Sequence, residues 1–168
     1  MMSNPIRVAS LVLILAVPCG LAQAQDAPSP REWWGNANIG SRHFGGEDKF
    51  LGPGESFNEF NPGIGVEVQW KPRHAMTAGY FRNSVDENSL YALYHYTPLQ
   101  FGRYLRVGGM VGAVTGYPGY NDGGIAPAGG LIAKIEGERL GVNLIFLPEI
   151  NDVTPSTLGL QFKWQIDR

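Results

Sequence analysis

Cysteine is almost missing from this chain. The single one in 168 residues, Cys19, falls in an N-terminal stretch with the marks of an export signal. Arg7 supplies positive charge, Val8 to Val17 is apolar, and Ala22-Gln23-Ala24 is a small-residue cleavage motif. Residues 1–24 are therefore read as a signal peptide and residues 25–168 as one domain. Cys19 follows Ala16-Val17-Pro18, which is not the setting of a lipidated cysteine. Processing would leave no thiol, which excludes a disulfide framework and thiol chemistry. Long hydrophobic runs are also lacking, since a membrane-spanning helix needs about 20 apolar residues. There is no basic excess either. Without Arg7, 12 basic residues face 15 acidic ones, a balance of −3 that offers no footprint for nucleic acid. No helix of useful length, internal repeat or low-complexity segment is visible. Gly45-Gly46 and Gly123-Gly124 lack the strand-to-helix context of a phosphate loop, and no spacing suggests zinc, calcium or a dinucleotide. No cofactor is expected.

What the chain does have is alternation. Ile64, Val66, Val68 and Trp70 alternate with Gly65, Glu67 and Gln69. Leu158, Leu160, Phe162, Trp164 and Ile166 interleave with Gly159, Gln161, Lys163 and Gln165. Large apolar side chains on one beat, with small and polar ones on the other, are the pattern of a strand between lipid and a barrel interior. Eight strands are expected: Trp34–Phe44, Phe60–Trp70, Ala75–Asn83, Ser89–Thr97, Tyr104–Thr115, Ile125–Ile135, Leu140–Leu147 and Thr157–Ile166. Their connections alternate between long and short, as in small outer-membrane barrels. The expected fold is an all-β, eight-stranded antiparallel transmembrane β-barrel, monomeric, in the outer membrane of a Gram-negative cell. A soluble lipocalin-like barrel would want a polar outer face, which Leu158–Ile166 does not offer. The short turns and both termini would face the periplasm.

Individual residues sharpen this reading. Trp33-Trp34 is placed as an interfacial anchor. Gly108, Gly109, Gly112, Gly129 and Gly130, facing inward, would hollow the barrel. Pro62, Pro127 and Pro148 fall within or beside strands; because proline cannot donate to a ladder, each opens a local gap that could admit a lipid sideways. His43, Asn83 and Ser84 fall at the outer strand ends. A histidine, an amide and a hydroxyl at one membrane level suit acyl transfer, with His43 as base and the other two hydrogen-bonding the ester or oxyanion. No carboxylate is adjacent in sequence to orient His43, so Asp48, Asp86 or Asp122 would have to do so across space. His74 and His95 are placed toward the other end, and Glu136, Glu138 and Arg139 are read as a charged turn.

Several landmarks fall in the order of a known family. They are Arg42-His43-Phe44 before Glu47-Asp48-Lys49, Asn61-Pro62-Gly63, Phe81-Arg82-Asn83-Ser84, Arg106-Val107-Gly108-Gly109 with Gly112-Ala113-Val114-Thr115, Ala126-Pro127-Ala128, Phe146-Leu147-Pro148 and Phe162-Lys163-Trp164-Gln165-Ile166. From about His43 to Ile166 the chain resembles the outer-membrane lipid A palmitoyltransferases (PagP-type). The resemblance implies an eight-stranded barrel that moves a palmitoyl chain from a phospholipid to lipid A. It maps the catalytic histidine onto His43 and the serine onto Ser84. The family's acidic partner falls at Asn83, and three of its four wall-opening prolines fall at Pro62, Pro127 and Pro148. The fourth would lie near Asn38 and is absent, as is the amphipathic N-terminal helix; the chain ends in Ile166-Asp167-Arg168 rather than an aromatic residue. Two rivals are a non-enzymatic structural or ligand-binding barrel, and a lipid A deacylase or phospholipase.

Overall fold

The structure is a computed structural model that describes residues 31–45, 51, 53–150 and 154–167. The signal-peptide reading of residues 1–24 lies outside them, as does Asp48. Eight strands follow one another: β1 (Glu32–Phe44), β2 (Phe60–Lys71), β3 (His74–Arg82), β4 (Asn88–Phe101), β5 (Leu105–Val114), β6 (Ala126–Glu136), β7 (Leu140–Leu147) and β8 (Ser156–Gln165). Each pairs antiparallel with the next, and β8 returns to β1, from Phe44↔Ser156 to Trp34↔Gln165. Closure removes both sheet edges. Among the described residues the only helical turn is the 3-10 turn Asn121–Gly123.

Alternation sorts the side chains. Ile64, Val111 and Leu131 stand outward, 63%, 60% and 58% exposed, as do Leu158, Leu160 and Phe162. On the opposite beat Glu67, Gln69, Lys134, Asn143, Gln161 and Lys163 are buried inside. An inside-out distribution of this kind is stable only if hydrocarbon solvates the outer belt.

Four expectations need correction. The strand read as Ser89–Thr97 runs on to Phe101; the ladder shifts register between Tyr96 and Leu99, and that bulge absorbs Pro98, which has no N–H to donate. Trp33 and Trp34 do not act together. Trp33 is 42% exposed on the outer face, whereas Trp34 is 2% exposed and points inward, with the Lys163 ammonium 4.5 Å from its ring. The glycines do not all face in. Gly108 and Gly112 share the inward beat of Met110, but Gly109 and Gly129 share the outward beat of Val111 and Leu131. Moreover, a Cβ on Gly108 or Gly112 would strike the β4 backbone, so these glycines bring strands close rather than simply leave space. Finally, Glu136 is not part of a solvent-facing turn: it ends β6 with its carboxylate buried.

Candidate functional site

The interior has two storeys. At the long-loop end lies a cavity of about 540 Å³, within the range of roughly 300–1,000 Å³ typical of small-molecule sites. Phe81, Leu93, Met110, Val114, Ile145 and Leu147 form its apolar wall. Tyr91 crosses beneath them because Gly65 and Gly79 leave room for it; a Cβ on either would strike the Tyr91 hydroxyl. That hydroxyl accepts from Gln161 Nε2 at 3.4 Å, and the same nitrogen donates to Asn38 Oδ1 at 2.7 Å. A greasy chamber therefore ends on a polar floor.

Below the floor the barrel is filled by ions. Glu67 Oε1 accepts from Lys134 Nζ at 2.8 Å and from Lys163 Nζ at 2.6 Å. Lys163 also donates to Glu136 Oε1 at 2.5 Å, and Arg106 pairs with the other oxygen of Glu136. Arg106 further donates to Gln69 Oε1 at 2.8 Å and to the Pro72 carbonyl. Asn143 Nδ2 links Glu67 Oε2 at 3.3 Å to Gln161 Oε1 at 3.1 Å, tying this layer to the floor above. His95, fully buried, stands with Nδ1 3.6 Å from Glu67 Oε2. Expected near the end of its strand, His95 instead sits within β4 (Asn88–Phe101) in this ionic layer. His74 is likewise remote from the cavity. It is held at the short-turn end by the Tyr94 hydroxyl at 2.6 Å and the Tyr96 ring at 5.0 Å.

His43 and Ser84 both line the cavity. A one-residue bulge is what aims His43 inward. The β1 ladder skips from Asn38↔Gln161 to Gly40↔Leu160, leaving Ile39 unpaired. Below the bulge, even-numbered Trp34, Asn36 and Asn38 face in; beyond it, odd-numbered Ser41 and His43 do, while Arg42 and Phe44 turn out. The His43 ring stacks on Phe57, centroids 4.3 Å apart at 22°. Its buried Nδ1 has no hydrogen-bond partner among the described residues. Neither described aspartate proposed to orient it does so. Asp86 is bonded to Asn58 at 2.9 Å and Arg82 at 3.4 Å, and Asp122 lies in the 3-10 turn, off the cavity wall.

Asn83 has a different task from the one expected. Its Oδ1 accepts from the backbone N–H of Val85 at 3.0 Å and Glu87 at 2.9 Å, shaping its own turn. Its Nδ2 donates to Ser89 Oγ at 3.0 Å and to the Gly116 carbonyl at 2.6 Å. The amide is consumed by these four bonds and does not line the cavity. It clamps the loop carrying Ser84 to the loop carrying Tyr117. Gly116, at φ +84°, supplies a bend that only glycine adopts easily, and a Cβ there would strike the Asn88 carbonyl. The Tyr117 phenol lies near the Ser84 hydroxyl on the cavity wall. Burial pushes that phenol above its ordinary range, with the Ser84 hydroxyl acting the other way, so Tyr117 is neutral at physiological pH. Sequence reasoning missed Tyr117 because it lies in a loop, where no period marks which way a side chain points.

The prolines divide. The β5–β6 ladder continues to Val114↔Ala126, but the β6–β7 ladder stops at Leu131↔Phe146. From Ala126 to Gly130, β6 has no register partner on β7. Pro127 lies in that unzipped stretch, Pro148 just follows β7, and both line the cavity. The chamber thus adjoins a break in the wall that faces the apolar belt. Pro62 falls in a smaller irregularity, where neither it nor Asn61 has a β1 register partner. Asn61 closes that spot from inside, accepting from Ser41 Oγ at 2.6 Å and donating to the Asn58 carbonyl at 3.0 Å; Pro62 is exposed and does not reach the chamber.

Fold and interior together define the class: a closed eight-stranded β-barrel of the transmembrane type, hollow at one end and ion-filled at the other. The structure is similar to that of a de novo designed protein, TMB2.3, solved by solution NMR. The TM-score is 0.55 and the identity 16%, covering 86% of this chain and 99% of that one. It is also similar to a structure described as de novo design of transmembrane beta-barrels, with TM-score 0.55 and 12% identity over 80% of this chain and 95% of the other. No protein-family model matches the sequence, and no curated protein does.

Proposed function

We propose that this barrel is an acyltransferase of the outer membrane, moving a palmitoyl-type chain from a phospholipid to lipid A in the outer leaflet. One observation carries the reading: an apolar chamber of about 540 Å³ bears His43 and Ser84 on its wall and adjoins a lateral break at β6–β7. A phospholipid tail would enter through that break and lie between Leu93, Met110 and Ile145, where each buried CH₂ contributes about 0.8 kcal/mol. The scissile ester would then rest near the rim. His43 takes the proton of a lipid A hydroxyl as that oxygen bonds to the ester carbonyl carbon. Ser84 and Tyr117 donate to the carbonyl oxygen as charge develops there. The C–O bond to the lysophospholipid breaks, and its oxygen takes the proton back from His43.

The test uses detergent-solubilised protein with labelled phosphatidylcholine and purified lipid A, beside lipid A mass spectrometry of matched strains with and without the gene. A palmitoyl mass increment that needs the gene is expected. An unchanged lipid A profile under envelope stress, with no transfer by the purified protein, rejects the reading. Tyr117→Phe keeps the ring in the wall but removes the donor. It is expected to lower kcat by about 10²-fold with KM nearly unchanged, measured in the same assay.

A second reading, a barrel that binds an amphiphile without reacting it, is favoured by a His43 Nδ1 that has no hydrogen-bond partner among the described residues, since a general base is usually oriented through its second nitrogen. Stoichiometric retention of lipid without turnover would select it. Release of free fatty acid without a heavier lipid A would select a deacylase or phospholipase instead.

A further inference from the structure

We infer that the short-turn rim of the barrel is a binding ring for anionic phospholipid headgroups. The inference concerns the opposite end from the cavity and does not depend on the acyltransferase reading. Arg31 at the start of the barrel, Lys71 at the end of β2, Arg73 in the β2–β3 turn, Arg103 in the β4–β5 turn and Arg139 in the β6–β7 turn are all exposed. Every ion pair among the described residues uses other cations, and none of these five is spent on a carboxylate. Among the described residues the one ring contact they make is Arg103 over Tyr104, 4.7 Å from the centroid.

The carboxylates at this end do not balance them. Glu32 is half-buried and its charge acts on Arg106 and Lys163. Asp167 keeps its charge while accepting from the Trp33 backbone N–H at 2.8 Å. Glu138 and Asp167 are the exposed carboxylates among the described residues at this end, so with Glu32 three acidic groups face five basic ones. The far rim is built the other way: Arg42 is held by Glu59 at 2.9 Å and Arg82 by Asp86 at 3.4 Å, with Glu87 in the β3–β4 loop and Asp122 in the β5–β6 loop.

Geometry selects the ligand. The five cations lie at the N-terminal end and in or beside all three short turns, so they run around the circumference rather than forming one sector that a folded partner would cover. Immediately beside them on the apolar belt stand Trp33, Tyr96, Phe101 and Tyr104, each 42% to 57% exposed, the side chains that sit at headgroup level. Flexible cationic side chains next to such a band reach lipid phosphates directly. The centre of the ring offers no alternative, because Arg106 and Glu136 close it from inside.

The full-length processed protein, refolded into phosphatidylcholine bilayers containing phosphatidylglycerol, tests this by native mass spectrometry of the retained lipids. Phosphatidylglycerol should be enriched over phosphatidylcholine, and raising the salt should reduce the enrichment. A cation near a membrane surface is worth about fivefold in binding, so the combined variant Lys71→Gln, Arg73→Gln, Arg103→Gln, Arg139→Gln should lose most of the preference. Gel mobility before and after heating confirms that this variant is folded, and Arg82→Gln at the far rim should leave the preference intact. Equal retention of both lipids by the wild type overturns the inference, as does an unchanged preference in the folded quadruple variant. Loss of sedimentation with purified peptidoglycan while the lipid preference is kept would replace it with an anionic-polymer ligand.

Discussion

Glu67→Gln is expected to destabilise the barrel by about 3–5 kcal/mol, the cost of removing one partner from a buried ionic cluster. Glu67 is fully buried and its Oε1 receives both Lys134 and Lys163. Glutamine has nearly the same volume, so packing is kept and charge alone is lost. Lys163 would still reach Glu136, but Lys134 has Glu67 as its sole ion-pair partner among the described residues. An ammonium in a closed interior with no counter-charge cannot simply be released, since the alternatives are an open barrel or a neutral amine. Urea unfolding in lipid vesicles, followed by tryptophan fluorescence and gel mobility, measures the loss. A change below about 1 kcal/mol would mean that the layer is reached by water and that these bonds behave like surface pairs. Substituting Glu67 and Lys134 together by apolar residues of similar size should recover much of the stability, because both the charge and its partner are then gone.

His43→Ala is expected to reduce acyl transfer by about 10²–10⁴-fold while leaving the barrel intact. The ring lies at the end of β1 before the long loop, and among the described residues it stacks on Phe57 alone, so its removal costs little in folding. Its chemical cost is large, since no other imidazole shares the chamber: His74 is held among aromatics at the opposite end and His95 lies in the ionic layer. Transfer rates in detergent micelles, with gel mobility as the folding control, provide the measurement. Unimpaired transfer by a folded His43→Ala barrel would reject His43 as the base. A raised KM with unchanged kcat would make it a binding residue of the rim instead.

The bulge at Ile39 shows why such a residue resists reading from sequence. Strand parity propagates from Trp34 upward, and an uninterrupted beat would have sent Arg42 inward and His43 into lipid. The skipped residue reverses this, and neighbouring strands decide where the skip occurs: Gly40 would drive a Cβ into the Glu59 carbonyl, so the chain there is fitted to β2. Asn83 is a second case. Its place beside Ser84 was legible, but the consumption of its amide by Val85, Glu87, Ser89 and Gly116 depends on two loops meeting across β4.

The ionic layer was half legible. Glu67, Lys134 and Lys163 each fall on the inward beat between apolar neighbours, and buried charges must find partners. Glu136 escaped notice because it sits where a strand becomes a turn, and its register against Gly141 assigns it to the interior. The β6–β7 break was legible only as Pro127 and Pro148; that the two flank one opening follows from the ladder stopping at Leu131.

Local alternation, a property of successive residues, is enough to specify eight strands, their order, the short and long connections and an apolar exterior, because a period of two survives without knowledge of any neighbour. Which polar residues meet, where the wall parts and which way His43 looks depend on register between strands far apart in sequence. Those features come into being when the sheet closes, since closure alone sets opposite charges within bonding distance and leaves one seam unzipped.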